Sequence, residues 1–238
     1  MVQQLRTGAL RRGSDPDSRA RVADSMDFPI LAQAVTLAYA AGISAYATIA
    51  VAGLAIRMGW VAAPPGSLEL LGNEWIIGIA LVLYLIEFAT TLIPGVASAW
   101  ETVHTLIRPP IAAALAAATA VSADPLVVVL ATLLGGGVAV ATHTTKLGLR
   151  YAIDTSPEPV TNGIANAAEL AVIGALVAFV WNHPFLALAI AIAVLVLLAI
   201  TVRLIWRALR AVFSGRWMPA CGLLQDARTS DRWKTFEE

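Results

Sequence analysis

The stretch PFLALAIAIAVLVLLAITVRLIWRALR, residues 184–210, carries no charge before Arg203. A helix needs about 20 apolar residues to cross a bilayer, and a buried helix of a soluble domain usually shows only about 10–14. The rest of the chain agrees with a membrane setting. Of its 238 residues, 58% are hydrophobic and 13% charged, against roughly 45–50% and 25% in soluble domains. The mean hydropathy is +0.75. These values exclude a disordered chain, a nucleic-acid binder and an ordinary cytosolic enzyme. Sixteen basic residues match sixteen acidic ones, so no net field recruits polyanions. The single cysteine, Cys221, allows neither an intramolecular disulfide nor a Cys-based zinc cluster, and reads as a plain free thiol.

Working backward from residue 184, five further apolar segments appear, at residues 28–56, 75–93, 96–121, 125–150 and 160–181. The first is too long for a signal-peptide core of about 7–15 residues. Pro94 and Gly95 end the second. The third is interrupted by Arg108-Pro109-Pro110 and continues as an alanine-rich run. Proline removes a backbone donor and clashes with the preceding turn, so a break is expected there. The fold class expected is an all-α integral membrane protein with about six transmembrane segments, the third broken. Residues 1–27 read as a disordered cytoplasmic tail, 28–212 as the transmembrane domain and 213–238 as a cytoplasmic C-terminal tail.

With six crossings and the amino terminus inside, one face collects Arg6, Arg11, Arg12, Arg19, Arg21, Lys146, Arg150, Arg203, Arg207, Arg210, Arg216, Arg228, Arg232 and Lys234, while the other receives Arg57. By the positive-inside rule both termini are then cytoplasmic. Trp60, Trp75 and Trp181 fall at the outer ends and Trp206 and Trp217 at the inner, as interfacial residues do. A shift of about 93 residues lays Arg57 on Arg150, Pro64 on Pro157 and Asn73 on Asn166. The expectation is an inverted 3+3 repeat with halves 28–122 and 123–212, a plan common among transporters.

Function is sought in ionisable residues inside apolar segments, each costing about 2.5–3.5 kcal/mol at a helix centre unless it faces protein or water. Glu87 lies on the second segment and Glu169 on the fifth. Glu101, His104 and Arg108 share one face of the third at spacings of three and four, and His143, Lys146 and Arg150 repeat that pattern on the fourth. These residues form an expected interior cluster, a path for an ion, a proton or an anionic solute, with structural ion pairs as the alternative. A histidine near its ordinary pKa of about 6.5 would couple movement to protons. The loop from Asp154 to Asn162 is stiffened by Pro157 and Pro159, and Asn162 joins the candidate residues. Gly135, Gly136, Gly137 and Ala139 allow close helix approach. No catalytic set, metal site or cofactor is assigned.

These residues also resemble a bacterial membrane family, domain of unknown function 4126, over roughly residues 30 to 210. The first matching block runs from Glu87 through Pro94-Gly95-Val96, Trp100-Glu101 and His104 to Arg108-Pro109. The second joins His143-Thr144-Thr145-Lys146 and Arg150 to Ser156-Pro157-Glu158-Pro159, Asn162 and Glu169. The family pattern has an Asp-Lys pair where this chain has Thr91-Leu92, and Asp at the positions of Ala97 and Leu170. If that acidic set binds a cation in relatives, this chain is expected to bind it poorly or to carry something else. The resemblance implies architecture and no established activity.

Taken together, the expected function is a small secondary transporter or channel-like permease for a small ion or solute. Glu87, Glu101 and Glu169 supply negative charge, and His143, Lys146, Arg108 and Arg150 the counterpart. The alternatives are a non-transporting structural or assembly subunit of a membrane complex and, third, a membrane enzyme acting on lipid. The bilayer and a second copy forming a homodimer are the expected partners; nucleic acid is not.

Overall fold

The computed structural model describes residues 16–61, 66–93, 95–153 and 159–213, and among them there is no strand. Seven α-helices follow one another: α1 (Pro16–Ile43), α2 (Ala45–Arg57), α3 (Glu74–Thr91), α4 (Val96–Ala120), α5 (Pro125–Ile153), α6 (Pro159–Val180) and α7 (Pro184–Phe213). A short 3₁₀ helix, Gly66–Gly72, precedes α3. The helices α3, α5, α6 and α7 are long and apolar enough to cross a membrane.

The apolar segment at residues 28–56 is not one helix. It is broken at Ser44, an extended residue (φ −150°, ψ 112°) whose side chain caps α2 by accepting from the Ala47 N–H. The directions of the two pieces follow from their neighbours. Gly42 faces Ala139 and Gly135 faces Ala38, so residue numbers rise together and α1 runs parallel to α5. Lys146 meets Glu169 while Arg150 meets Asn162, so α6 runs against α5. Val51 and Ala55 share one cavity with Gly174 and Ala178, and Ala47 another with Leu170, so α2 runs with α6. Helices α1 and α2 therefore point in opposite directions. They form a hairpin that enters and leaves the bundle at one end, with Ser44 at its tip.

This hairpin is the heart of the fold. From Ala34 to Ala45, α1 and its turn present buried side chains on nearly every side, many of them alanine. Small residues make that density reachable. A Cβ on Gly42 would stand 2.9 Å from the Ala139 Cα, and one on Gly135 would stand 2.6 Å from the Ala116 Cβ. At about 1.5 Å per residue, the 13-residue α2 is about 20 Å long, short of a bilayer core of about 30 Å.

Several expectations are corrected by this arrangement. Residues 28–56 do not cross from one end of the bundle to the other, so the parity of the chain changes. The Pro16 end of α1 lies with the α2–α3, α4–α5 and α6–α7 connections, and the Phe213 end of α7 lies opposite. The two ends of the described chain therefore lie at opposite ends of the bundle. Trp60, Trp75 and Trp181 do gather at one end and Trp206 at the other, as expected. The 93-residue shift lays the hairpin tip on the unbroken middle of α5, so the two halves differ at that point and the inverted repeat is not shown. The expected tail boundary at residue 27 falls inside α1, which is helical from Pro16; residues 1–15 and 214–238 lie outside the described residues.

The third segment is continuous. Pro109 and Pro110 sit inside α4. Their missing N–H groups deprive the Thr105 and Leu106 carbonyls of their usual donors, but a fixed φ near −65° is itself helical, and the ion pairs of Arg108 hold the turn before them. Between the second and third segments the chain does turn: α3 ends at Thr91, and Gly95 (φ 82°) precedes α4. Pro94 itself lies outside the described residues.

Candidate functional site

The hairpin tip delivers two helix ends into the bundle. A helix carries partial negative charge at its C-terminus and partial positive charge at its N-terminus. Both ends are met by the opposite charge. Lys146 Nζ donates to the Ile43 carbonyl, the last of α1, at 2.7 Å. At the start of α2, the Ser44 hydroxyl donates to Glu87 Oε2 at 2.7 Å.

Around this point the expected charges converge. Arg108 from α4 pairs with Glu87 of α3 and with Glu101 about two turns before it on α4, the second Glu101 contact being 3.3 Å. Lys146 from α5 bonds Glu101 Oε1 at 3.0 Å and Glu169 Oε2 at 2.8 Å, with Glu87 Oε1 at 3.8 Å. Arg150, one turn on, bonds Glu169 at 3.2 Å and Asn162 Oδ1 at 3.0 Å, and also Asn166. Asn166 passes the chain back to α3 by donating to Thr91 Oγ1 at 2.8 Å. Helices α3, α4, α5 and α6 are thus joined by one network, in which Glu101, Arg108 and Arg150 are at most 1% exposed. Asn162 stands in the first turns of α6 rather than in the loop before it.

The network is balanced. Glu87, Glu101 and Glu169 face Arg108, Lys146 and Arg150. His143 adds no charge, by the logic of its bonds. A guanidinium has no acceptor, so His143 Nδ1, 2.8 Å from Arg108 Nη1, accepts. Its Nε2 then carries the proton and donates to the Glu101 carbonyl at 3.0 Å. The ring is therefore a neutral strut between α4 and α5 rather than a cation opposed to the carboxylates. An unpaired charge in such a site would cost several kcal/mol, and the arrangement leaves none.

His104 belongs to the same helix but not to the same network. It stacks on Trp100 at 4.5 Å, donates from Nδ1 to the Trp100 carbonyl at 2.8 Å, and faces the Tyr46 hydroxyl at 3.3 Å. Arg57 is far from the cluster, in an exposed pair with Glu74.

Ser44, Thr91 and Asn166 in the network, Thr105, whose hydroxyl lies 3.0 Å from His143 Nε2, and Tyr46 beside His104 are the residues that the sequence did not single out for the site. The signal for Ser44 was present, since a serine before a run of helix formers is a capping pattern. The others are ordinary polar residues whose role depends on who faces them. A cavity of about 10 Å³ lies among Ser44, Glu87, Thr91, Asn166, Glu169 and Leu170, room for roughly one water. Thr91 and Leu170 line this same cavity, while Ala97 is fully buried on α4.

No curated protein and no solved structure matches this chain. The family model described as Domain of unknown function (DUF4126) matches residues 31–204, a span that begins in α1, takes in the whole network and ends in α7, and the chain belongs to that family.

Proposed function

We propose that the protein is a small permease of the bacterial inner membrane, moving a small ion or solute past the buried charge network. In this reading α3, α4, α5, α6 and α7 cross the bilayer and the α1–α2 hairpin re-enters it. Helix α4 crosses despite its charges because Glu101, His104 and Arg108 all face protein. The observation that carries the reading is the pair of half-helix ends meeting charged side chains at depth in the bundle. Backbone that leaves the helical pattern inside a membrane is tolerated where it is buried in protein or lines a cavity. Transporters place half-helix termini at their ion and substrate sites.

The network then acts as the closed gate. Every member has a partner it can exchange: Lys146 stands between Glu101, Glu169 and Glu87, so a shift of α5 against α6 hands the ammonium from one carboxylate to another without leaving a charge bare. Basic residues stand at both ends of the bundle, Arg57 at one and Arg203, Arg207 and Arg210 at the other, so the charge rule no longer assigns the inner face.

A second reading has its own observation. Every charge of the network is paired and the cavity beside it holds about 10 Å³, as a structural clamp of a membrane complex would be. Single cysteines at Ala47 and Leu170, with Cys221 replaced by serine, separate the two. Both positions line the small cavity. Labelling by a membrane-impermeant thiol reagent from both faces of oriented vesicles is the permease outcome. Protection from both faces would overturn it in favour of the clamp.

A further inference from the structure

A second cavity touches the network from the side. It has a volume of about 140 Å³ and lies between α1, α5, α6 and α7, with Leu149, Val172, Val194 and Leu198 among its apolar walls. Its polar members are Thr142, Lys146 and Glu169. Helices α5 and α6 flank it and are bridged here by long side chains rather than by close backbone packing.

The bonding capacity of those three groups decides what fits. The Thr142 hydroxyl donates to the Val138 carbonyl at 2.8 Å. An ammonium has three protons, and Lys146 spends them on Ile43, Glu101 and Glu169. Donors are thus exhausted. Each carboxylate oxygen has two lone pairs. Glu169 uses Oε1 for Arg150 and Oε2 for Lys146, so each oxygen keeps one. Glu169 is also the most accessible carboxylate of the network, its side chain 21% exposed against 5% for Glu87 and 0% for Glu101. The cavity therefore offers a charged acceptor, and a ligand must bring the donor. A cation would add an unpaired charge to a balanced network inside apolar walls, whereas a neutral donor adds none. A dry apolar cavity of about 150 Å³ accepts a benzene ring.

We propose that this cavity binds a small neutral amphiphile, with an apolar body about the size of one aromatic ring and a hydroxyl or N–H head that donates to Glu169. This goes beyond the permease reading, because the site can fill whether or not anything crosses the protein. The test uses the full chain in lipid nanodiscs, with Cys221 replaced by serine and a cysteine at Ala168, an exposed residue of the cavity lining. The rate of alkylation of that cysteine is followed with benzyl alcohol, toluene, benzylamine or benzoate present. A matched cysteine at Leu85, on the outer face of α3 and 62% exposed, reports nonspecific partitioning. Benzyl alcohol is expected to protect position 168, and not 85, at about one tenth the concentration of toluene, the ratio for one hydrogen bond to a charged acceptor. Benzylamine and benzoate are expected to protect less than benzyl alcohol. V194F fills the cavity, leaves every ion pair in place, and should abolish the protection. Equal protection by toluene, stronger protection by either charged probe, or protection that survives V194F would overturn the proposal.

Discussion

Glu101→Gln is the sharpest perturbation of the network. Glu101 is fully buried and accepts from both Nη atoms of Arg108 and from Lys146 Nζ at 3.0 Å. The amide removes one negative charge from a balanced set and turns a donor toward neighbours that only donate. Removing one partner of a buried pair costs about 3–5 kcal/mol, because the other charge stays buried. Lys146→Met should cost a similar amount for the opposite reason, leaving one carboxylate in excess and the Ile43 carbonyl without its donor. The double variant restores charge balance. Its cost should fall short of the sum of the single costs by about 1–3 kcal/mol, the coupling expected of groups in one network. Unfolding of the wild type, both single variants and the double variant in one detergent gives the cycle. Lys146→Gln, which also removes the charge but keeps a donor for the Ile43 carbonyl, serves as a milder substitute should Lys146→Met accumulate too poorly. Additivity to within about 0.5 kcal/mol would refute the argument, since it would mean that the two groups do not share a field.

Other outcomes follow from particular contacts. If α1 and α2 are a hairpin, single cysteines at Ser18 and Ser122 will label from the same face of oriented vesicles and one at Arg210 from the opposite face; labelling of Ser18 and Ser122 from opposite faces would restore a crossing first segment. Ser44→Ala removes both the cap of α2 and the hydroxyl on Glu87, and thermal unfolding should register a loss of about 1–2 kcal/mol. Gly42→Val forces a side chain against the Ala139 backbone and should cost at least about 1–3 kcal/mol, whereas Gly78→Ala, with open space around it, should change stability by less than about 1 kcal/mol. Glu74→Gln breaks an ion pair whose members are 48% and 72% exposed, so its effect on the same melt should stay within about 0–1 kcal/mol.

The candidate site was more legible in the sequence than the path of the chain. Charges in apolar segments are expensive wherever they sit, so Glu87, Glu101, Arg108, Lys146, Arg150 and Glu169 announced that they must meet. The spacing on α4 and α5 placed most of them on inward faces. His104 shows the limit of that reasoning: the same spacing put it with Glu101 and Arg108, yet one turn of helix and the ring of Trp100 direct it to Tyr46 instead. Composition was blind to Ser44 for a different reason. Residues 28–56 contain enough apolar side chains for one crossing or for two half-crossings, and hydropathy does not distinguish a helix that continues from one that turns back. The double proline misled in the opposite sense, because its local cost is offset by ion pairs that only the tertiary structure supplies.

The hairpin and the network depend on each other. Turning a chain inside a bundle leaves the last carbonyls of one helix and the first amides of the next without helical partners, and in an apolar setting each such group costs free energy. Lys146 and the Ser44–Glu87 pair satisfy those ends, and the helix termini in return favour the ammonium and the carboxylate that meet them. A variant that removes the Lys146 charge should therefore loosen the hairpin tip as well as the ion pairs. Hydrogen exchange separates the effects: in K146M the amides of residues 45–48 should lose protection along with those of α5 near residue 146. Loss confined to α5 would mean that the tip stands without the network.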